Sequence, residues 1–151
     1  MRTLVCPLAG LLALSWIALS FAATGCPPTE PDEVGPFYKP NAPVRSTIGT
    51  GYVLSGTVRS ATDCRPITHA RIEFWQAGPE GKYDDAHRAT TFSDAAGTYL
   101  LQTDRPVPYL TRPPHIHILV EVLGFQRLIT QHYPAKKSTG AVFDLVLVPA
   151  K

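Results

Sequence analysis

The sequence predicts an all-β fold, an antiparallel sandwich of about seven or eight short strands. Three observations predict it. Beyond the first 25 residues, no long stretch repeats apolar residues at the 3.6-residue helical period. Short runs rich in β-branched and aromatic residues recur instead, separated by turn sequences. Fifteen prolines are spread over 151 residues, and an interior proline breaks a helix.

Residues 1–25 read as a secretory signal peptide. Arg2 precedes an apolar stretch, Leu8–Ala22, and small residues follow at Ala22, Ala23 and Gly25. Gly10, Ser15 and Ser20 interrupt the apolar part and no basic cluster follows it, which favours export over a transmembrane anchor. The expected location is periplasmic, extracellular or lipid-anchored at the cell envelope. Loss of the leader removes Cys6 and leaves Cys26 and Cys64. Two readings of these cysteines stand side by side. Export permits a Cys26–Cys64 disulfide. Alternatively, Ala23-Thr24-Gly25-Cys26 resembles a bacterial lipoprotein box, with Cys26 acylated as a lipid anchor.

Residues 26–50 are rich in Pro, Gly and Thr and predict an extended arm. Residues 51–151 predict one sandwich domain, with residues 35–50 contributing to its pocket. Strands are expected at Tyr52–Val58, Ala70–Gln76, Thr98–Thr103, His115–Leu123, Arg127–Tyr133 and Ala141–Val148. Turn signals lie between them at Asp63–Pro66, Gly78–Gly81, Asp94–Gly97 and Gly124. The last run alternates imperfectly and reads as buried on both faces. A net charge of +2, with no basic patch beyond Lys136–Lys137, excludes a nucleic-acid partner. No glycine-rich phosphate loop is present.

His115-Ile116-His117 is the sharpest local feature. Side chains two apart in a strand share a face, so both imidazoles can reach one metal. An isolated pair of this kind is more often two sheet-edge histidines, and the surroundings change that reading. Pro113 and Pro114 hold the approach extended, with Arg112 and Tyr109 just upstream and Tyr83 after an earlier strand. Two tyrosines and two histidines make a four-ligand iron site. Phenolates are hard anionic donors that balance the charge of Fe(III), and imidazoles fill further positions. His69, His87 and His132 read as structural or surface residues.

These residues carry a family resemblance. Gly35-Pro36-Phe37-Tyr38, Gly56-Thr57-Val58, Trp75-Gln76-Ala77, Gly81-Lys82-Tyr83 and Asp94–Tyr99 occur in order. They are followed by Tyr109-Leu110-Thr111-Arg112-Pro113-Pro114-His115-Ile116-His117 and Leu128–Tyr133. The pattern over residues 35–148 resembles the intradiol ring-cleavage dioxygenases, the family of protocatechuate 3,4-dioxygenase and catechol 1,2-dioxygenase. The resemblance implies a non-haem Fe(III) bound by Tyr83, Tyr109, His115 and His117, with Tyr109 and His117 axial and a solvent hydroxide as fifth ligand. It implies catalytic roles for Arg112 beside the substrate ring, for Gln131 near that arginine, and for Tyr109 as the ligand that makes room for substrate. Gly35, Pro36 and Tyr38 fall where the family lines its pocket. The implied reaction uses O2 to cleave a catechol-type diol between its hydroxylated carbons, giving a cis,cis-muconate-type diacid.

The chain departs from larger members of that family. It lacks the long helical segment of catechol-type proteins, and only Leu110–Pro114 separate the second tyrosine from the histidine pair. A short exported form is the nearest match, and substrate choice and oligomeric state stay open. Two rival resemblances remain. Residues 52–103 are similar to carboxypeptidase-regulatory and transthyretin-like modules, which are exported binding domains without catalysis. His115, His117 and Glu121 copy part of a cupin metal motif.

Overall fold

The computed structural model describes residues 25–151, so the leader reading lies outside the described residues but for Gly25. Among the described residues no helix forms. Nine strands do: β1 (Thr47–Ile48), β2 (Gly51–Ser60), β3 (Arg71–Gln76), β4 (Arg88–Phe92), β5 (Thr98–Asp104), β6 (Ile116–Glu121), β7 (Leu128–His132), β8 (Gly140–Val142) and β9 (Leu145–Leu147). They form two sheets. The first runs β1-β5-β2-β8, with β9 continuing along β2, and the second runs β4-β3-β6-β7. Every pairing in the second sheet is antiparallel, whereas β8 and β9 lie parallel to β2. The chain is an all-β sandwich.

Alternation decides which side chains meet between the sheets. In β2, Tyr52, Leu54 and Val58 are fully buried and Val53 points to solvent. In β3 and β6, Ile72, Phe74, Ile116, Ile118 and Val120 face them. Leu54 sits fully buried in this layer. Leu54→Ala is expected to cost about 2–5 kcal/mol through lost burial and an unfilled cavity. A lower urea midpoint with an unchanged slope checks it.

The second sheet is covered on both faces, and the arm makes the second cover. Thr29 N–H donates to Val146 O (3.0 Å) and Asp32 N–H to Ile129 O (2.9 Å), which fixes the start of the arm near β9 and β7. Thr90 N–H donates to Pro43 O (2.8 Å) and Arg45 N–H to Thr90 O (3.0 Å), fixing its far end on β4. Between these ties the arm crosses the outer face of the sheet. Its first residue is held where Cys26 and Cys64 stand at disulfide distance, Cα to Cα 5.2 Å. That distance fits the disulfide reading of the two cysteines.

The strands differ from expectation at three places, the first being β1, which forms within the residues read as an extended arm and pairs with β5. The run Ala141–Val148 is two strands, because Asp144 turns out to accept Thr57 N–H (2.8 Å) and pair with Arg59 (3.1 Å). All three residues of β9 are buried, whereas Val142 in β8 is exposed, so the reading of the whole run as buried on both faces holds for Leu145–Leu147 alone. The strand β4 was not foreseen: Arg88-Ala89-Thr90-Thr91-Phe92 shows little alternation and buries four of five residues. The arm side of β4 explains this, since Thr90 is enclosed by residues 42–45.

Candidate metal centre

The outer face of the second sheet carries a row of side chains set by strand register. Trp75 on β3 is paired with His117 on β6, and His117 with Gln131 on β7. The Trp75 ring stacks on the His117 imidazole, with centroids 4.9 Å apart and planes 4° from parallel. His115 lies two residues back on the same face. Its Nδ1 is 2.7 Å from Pro113 O, so Nδ1–H donates to that carbonyl and the Nε2 lone pair points outward.

Tyr83 descends on this pair from the loop between β3 and β4. Its Oη lies 2.9 Å from His115 Nε2 and 3.2 Å from His117 Nε2, and the two Nε2 atoms are 3.1 Å apart. Ligands at right angles and about 2.1 Å from one ion stand about 3 Å apart, so this triangle has the dimensions of three cis ligands. No trio of His, Cys, Asp and Glu side chains that could hold a metal occurs among the described residues. The third atom of the triangle beside the two imidazole nitrogens is the Tyr83 phenol oxygen.

Burial sets the charge of the three side chains in this triangle. It pushes His117 down to about 4, with the neighbouring His115 acting in the same sense, and it also lowers His115. It pushes Tyr83 up to about 12, partly opposed by the Arg112 cation. Two neutral imidazoles and a phenol result at neutral pH. A bound cation would reverse the phenol's preference by favouring the phenolate.

Tyr109 packs edge-on against Tyr83, with centroids 5.2 Å apart, and against Phe37 at the same distance. It heads a tight turn in which Arg112 N–H donates to Tyr109 O (2.9 Å) and Leu110 adopts φ +51°. Arg112 leaves the turn toward β7. Its Nη2 donates to Gln131 Oε1 (3.0 Å) and to Tyr133 Oη (2.7 Å). Tyr133 Oη donates onward to Asp32 Oδ2 (2.9 Å), and Gln131 Nε2 donates to Glu33 O (2.7 Å). The guanidinium is thus held in place by both β7 and the arm.

The arm roofs the site. Gly35 has φ +67°, and a Cβ there would stand 3.1 Å from His117 Cε1, so glycine lets the chain pass against the imidazole. Phe37 stacks on Tyr83 at 4.3 Å. Pro36 is exposed between them. Tyr38 is turned toward the sheet, with its ring on Trp75 (5.0 Å) and its hydroxyl donating to Glu73 Oε2 (2.6 Å).

Sequence reasoning passed over Tyr133, Asp32, Phe37 and Trp75 as individual site residues. Tyr133 had a readable signal, since it lies two residues beyond Gln131 and so on the same strand face. The remaining histidines fall elsewhere. His132 is inside the core with Nε2 2.7 Å from Tyr52 Oη, His69 is exposed, and His87 lies beneath the Tyr83 loop. Glu121 sits at the far end of β6, paired with Arg71 (3.4 Å) and Arg127 (3.5 Å), which removes it from any cupin-like metal set. An open groove of about 810 Å³ between β4, β5 and the arm contains none of these donor atoms.

No protein-family model matches the chain. It is 30% identical over 139 residues to a chlorocatechol 1,2-dioxygenase of Pseudomonas sp. strain P51, covering 70% of this chain and 55% of that protein. It is 33% identical over 141 residues to a hydroxyquinol 1,2-dioxygenase of Rhodococcus opacus, covering 71% and 46%. Among solved structures, the dioxygenase domain of a dioxygenase–carbohydrate-binding fusion from Streptomyces sp. SirexAA-E superposes with a TM-score of 0.72 at 29% identity, covering 82% of this chain and all of that one. The chain spans about half the length of the curated relatives it matches. By sequence and by fold alike, the chain is a homologue of the intradiol ring-cleavage dioxygenases.

Proposed function

We propose that the chain is a non-haem Fe(III) dioxygenase that cleaves a catechol-type diol between its hydroxylated carbons, using O2 and giving a cis,cis-muconate-type diacid. The convergence of Tyr83 Oη, His115 Nε2 and His117 Nε2 within 3.2 Å of one another carries this reading. Tyr109 is the fourth ligand. When bound by these residues, Fe(III) would supply Lewis-acid chemistry toward an electron-rich diol.

The chain's own residues do the rest. The neutral histidines offer lone pairs without first losing a proton. Tyr109, on a short turn and half-exposed, is the ligand free to swing aside for the diol. Arg112 is a fixed cation whose orientation is set by Gln131 and Tyr133, and it stabilises negative charge developing on the ring. Phe37 and Trp75 shield the ligand rings from water. The relatives named above act on chlorocatechol and hydroxyquinol, and a catechol-type ring is accordingly the substrate class here. Export to an oxidising compartment fits the Cys26–Cys64 pair.

The deciding measurement is oxygen uptake by iron-loaded protein with catechol, protocatechuate, hydroxyquinol and chlorocatechols. We expect one O2 consumed per diol and ultraviolet absorption of a muconate-type product. The loaded protein is expected to be wine-coloured from phenolate-to-iron charge transfer. A colourless, iron-replete sample that consumes no oxygen with any diol overturns the reading.

A further inference from the structure

Tyr83 reaches the histidine pair from an irregular loop, residues 77–87, so something must hold that loop at the right height over the sheet. The next residue in the chain, Asp84, supplies the handle. Its Oδ1 accepts both His87 N–H (3.0 Å) and the His87 ring at Nδ1 (2.7 Å). The opposite ring nitrogen, Nε2, lies 3.2 Å from Asp104 Oδ2 at the end of β5, in the other sheet. Asp104 is itself fixed, because its Oδ1 accepts Thr50 N–H (2.9 Å). The ring has no room to move sideways: a Cβ on Gly78 would stand 2.3 Å from His87 Cε1. Both ring nitrogens of His87 thus stand within hydrogen-bond distance of a carboxylate, one on each side of the ring. His87 therefore bolts the residue beside Tyr83 to a strand of the opposite sheet.

We propose that His87, through Asp84, is a positioning residue that sets where Tyr83 stands over the histidine pair. The assignment of Tyr83 as a ligand rests on the iron reading above, whereas the bolt itself is a property of the metal-free chain. His87→Gln keeps one amide nitrogen but has no second ring nitrogen to face the other carboxylate. Asp104→Asn replaces one of two acceptor oxygens with a donor, so that Thr50 N–H and the His87 ring must share a single oxygen. Neither variant touches the donor triangle.

The experiment compares full-length wild type, H87Q and D104N by amide hydrogen exchange without metal, and then by Fe(III) titration with the visible spectrum recorded. We expect amides 80–86 to exchange about 10-fold faster in both variants while strands β3 and β6 keep wild-type protection. We expect Fe(III) to bind about 10–100-fold more weakly, with a weaker charge-transfer band. Wild-type exchange in the loop together with a wild-type band overturns the proposal. So does a lowered melting temperature with loop exchange and band unchanged, since that marks a merely structural role. If H87Q does not fold, the same comparison with D104N decides. A wild-type protein that binds Fe(III) without a visible band refutes the iron reading alone, and the exchange data still test the bolt.

Discussion

Replacing His117 with alanine is expected to strip the protein of iron and to lower diol-dependent oxygen uptake by more than about 100-fold. The bound is conservative, since loss of a residue that merely supports a metal ligand costs about 10–100-fold. His117 is only 2% exposed and is enclosed by Trp75, Gly35 and Tyr83, so no other side chain can take its place. Its lone pair is available at neutral pH because burial holds the ring well below the usual histidine range. Iron content after loading, the visible band and oxygen uptake are the three readouts. A circular-dichroism melt checks that the sandwich survives. Full iron occupancy with an unchanged rate would remove His117 from the ligand set.

Arg112→Ala is expected to separate binding from turnover. Its guanidinium touches Gln131 and Tyr133 rather than either histidine or Tyr83, so iron should stay bound and the wine colour should persist. Turnover should fall by about 10²–10³, the usual cost of removing one group aimed at developing charge. Arg112→Lys should recover little of it, because the flexible, shorter lysine lacks the planar guanidinium that Gln131 and Tyr133 orient. Iron content and kcat, measured on the same preparation, check both statements. Loss of iron at an unchanged rate per iron would assign Arg112 to the metal's support instead of to catalysis.

The strands that form the core were legible because alternation is a local property. Tyr52–Val58, Thr98–Thr103 and Arg127–Tyr133 each appear in the structure with ends shifted by at most three residues. Register is not local. Trp75 stacks on His117 because β3 pairs with β6 in one particular alignment, and nothing within either segment states that alignment. The arm was legible as extended chain, but not as a roof, since Asp32 and Phe37 acquire their partners only when it crosses the sheet. Tyr38 shows the converse. It neighbours Phe37 in sequence, yet alternation along the arm turns it to Glu73. The two cysteines are 38 residues apart, a spacing that by itself favours neither pairing nor acylation.

The parallel pairing of β2 with β8 and β9 has a consequence for the order of assembly. Val58 aligns with Leu145, and Thr29 at the start of the arm is anchored on Val146, so segments far apart in sequence meet at β9. Contacts this distant in sequence carry a large loop-closure cost and slow the search for the native state. The roof over the donor triangle depends on them, because the arm cannot be seated until β7 and β9 exist. The donor triangle is therefore among the last features of the described residues to be completed, since its roof waits for strands far along the chain.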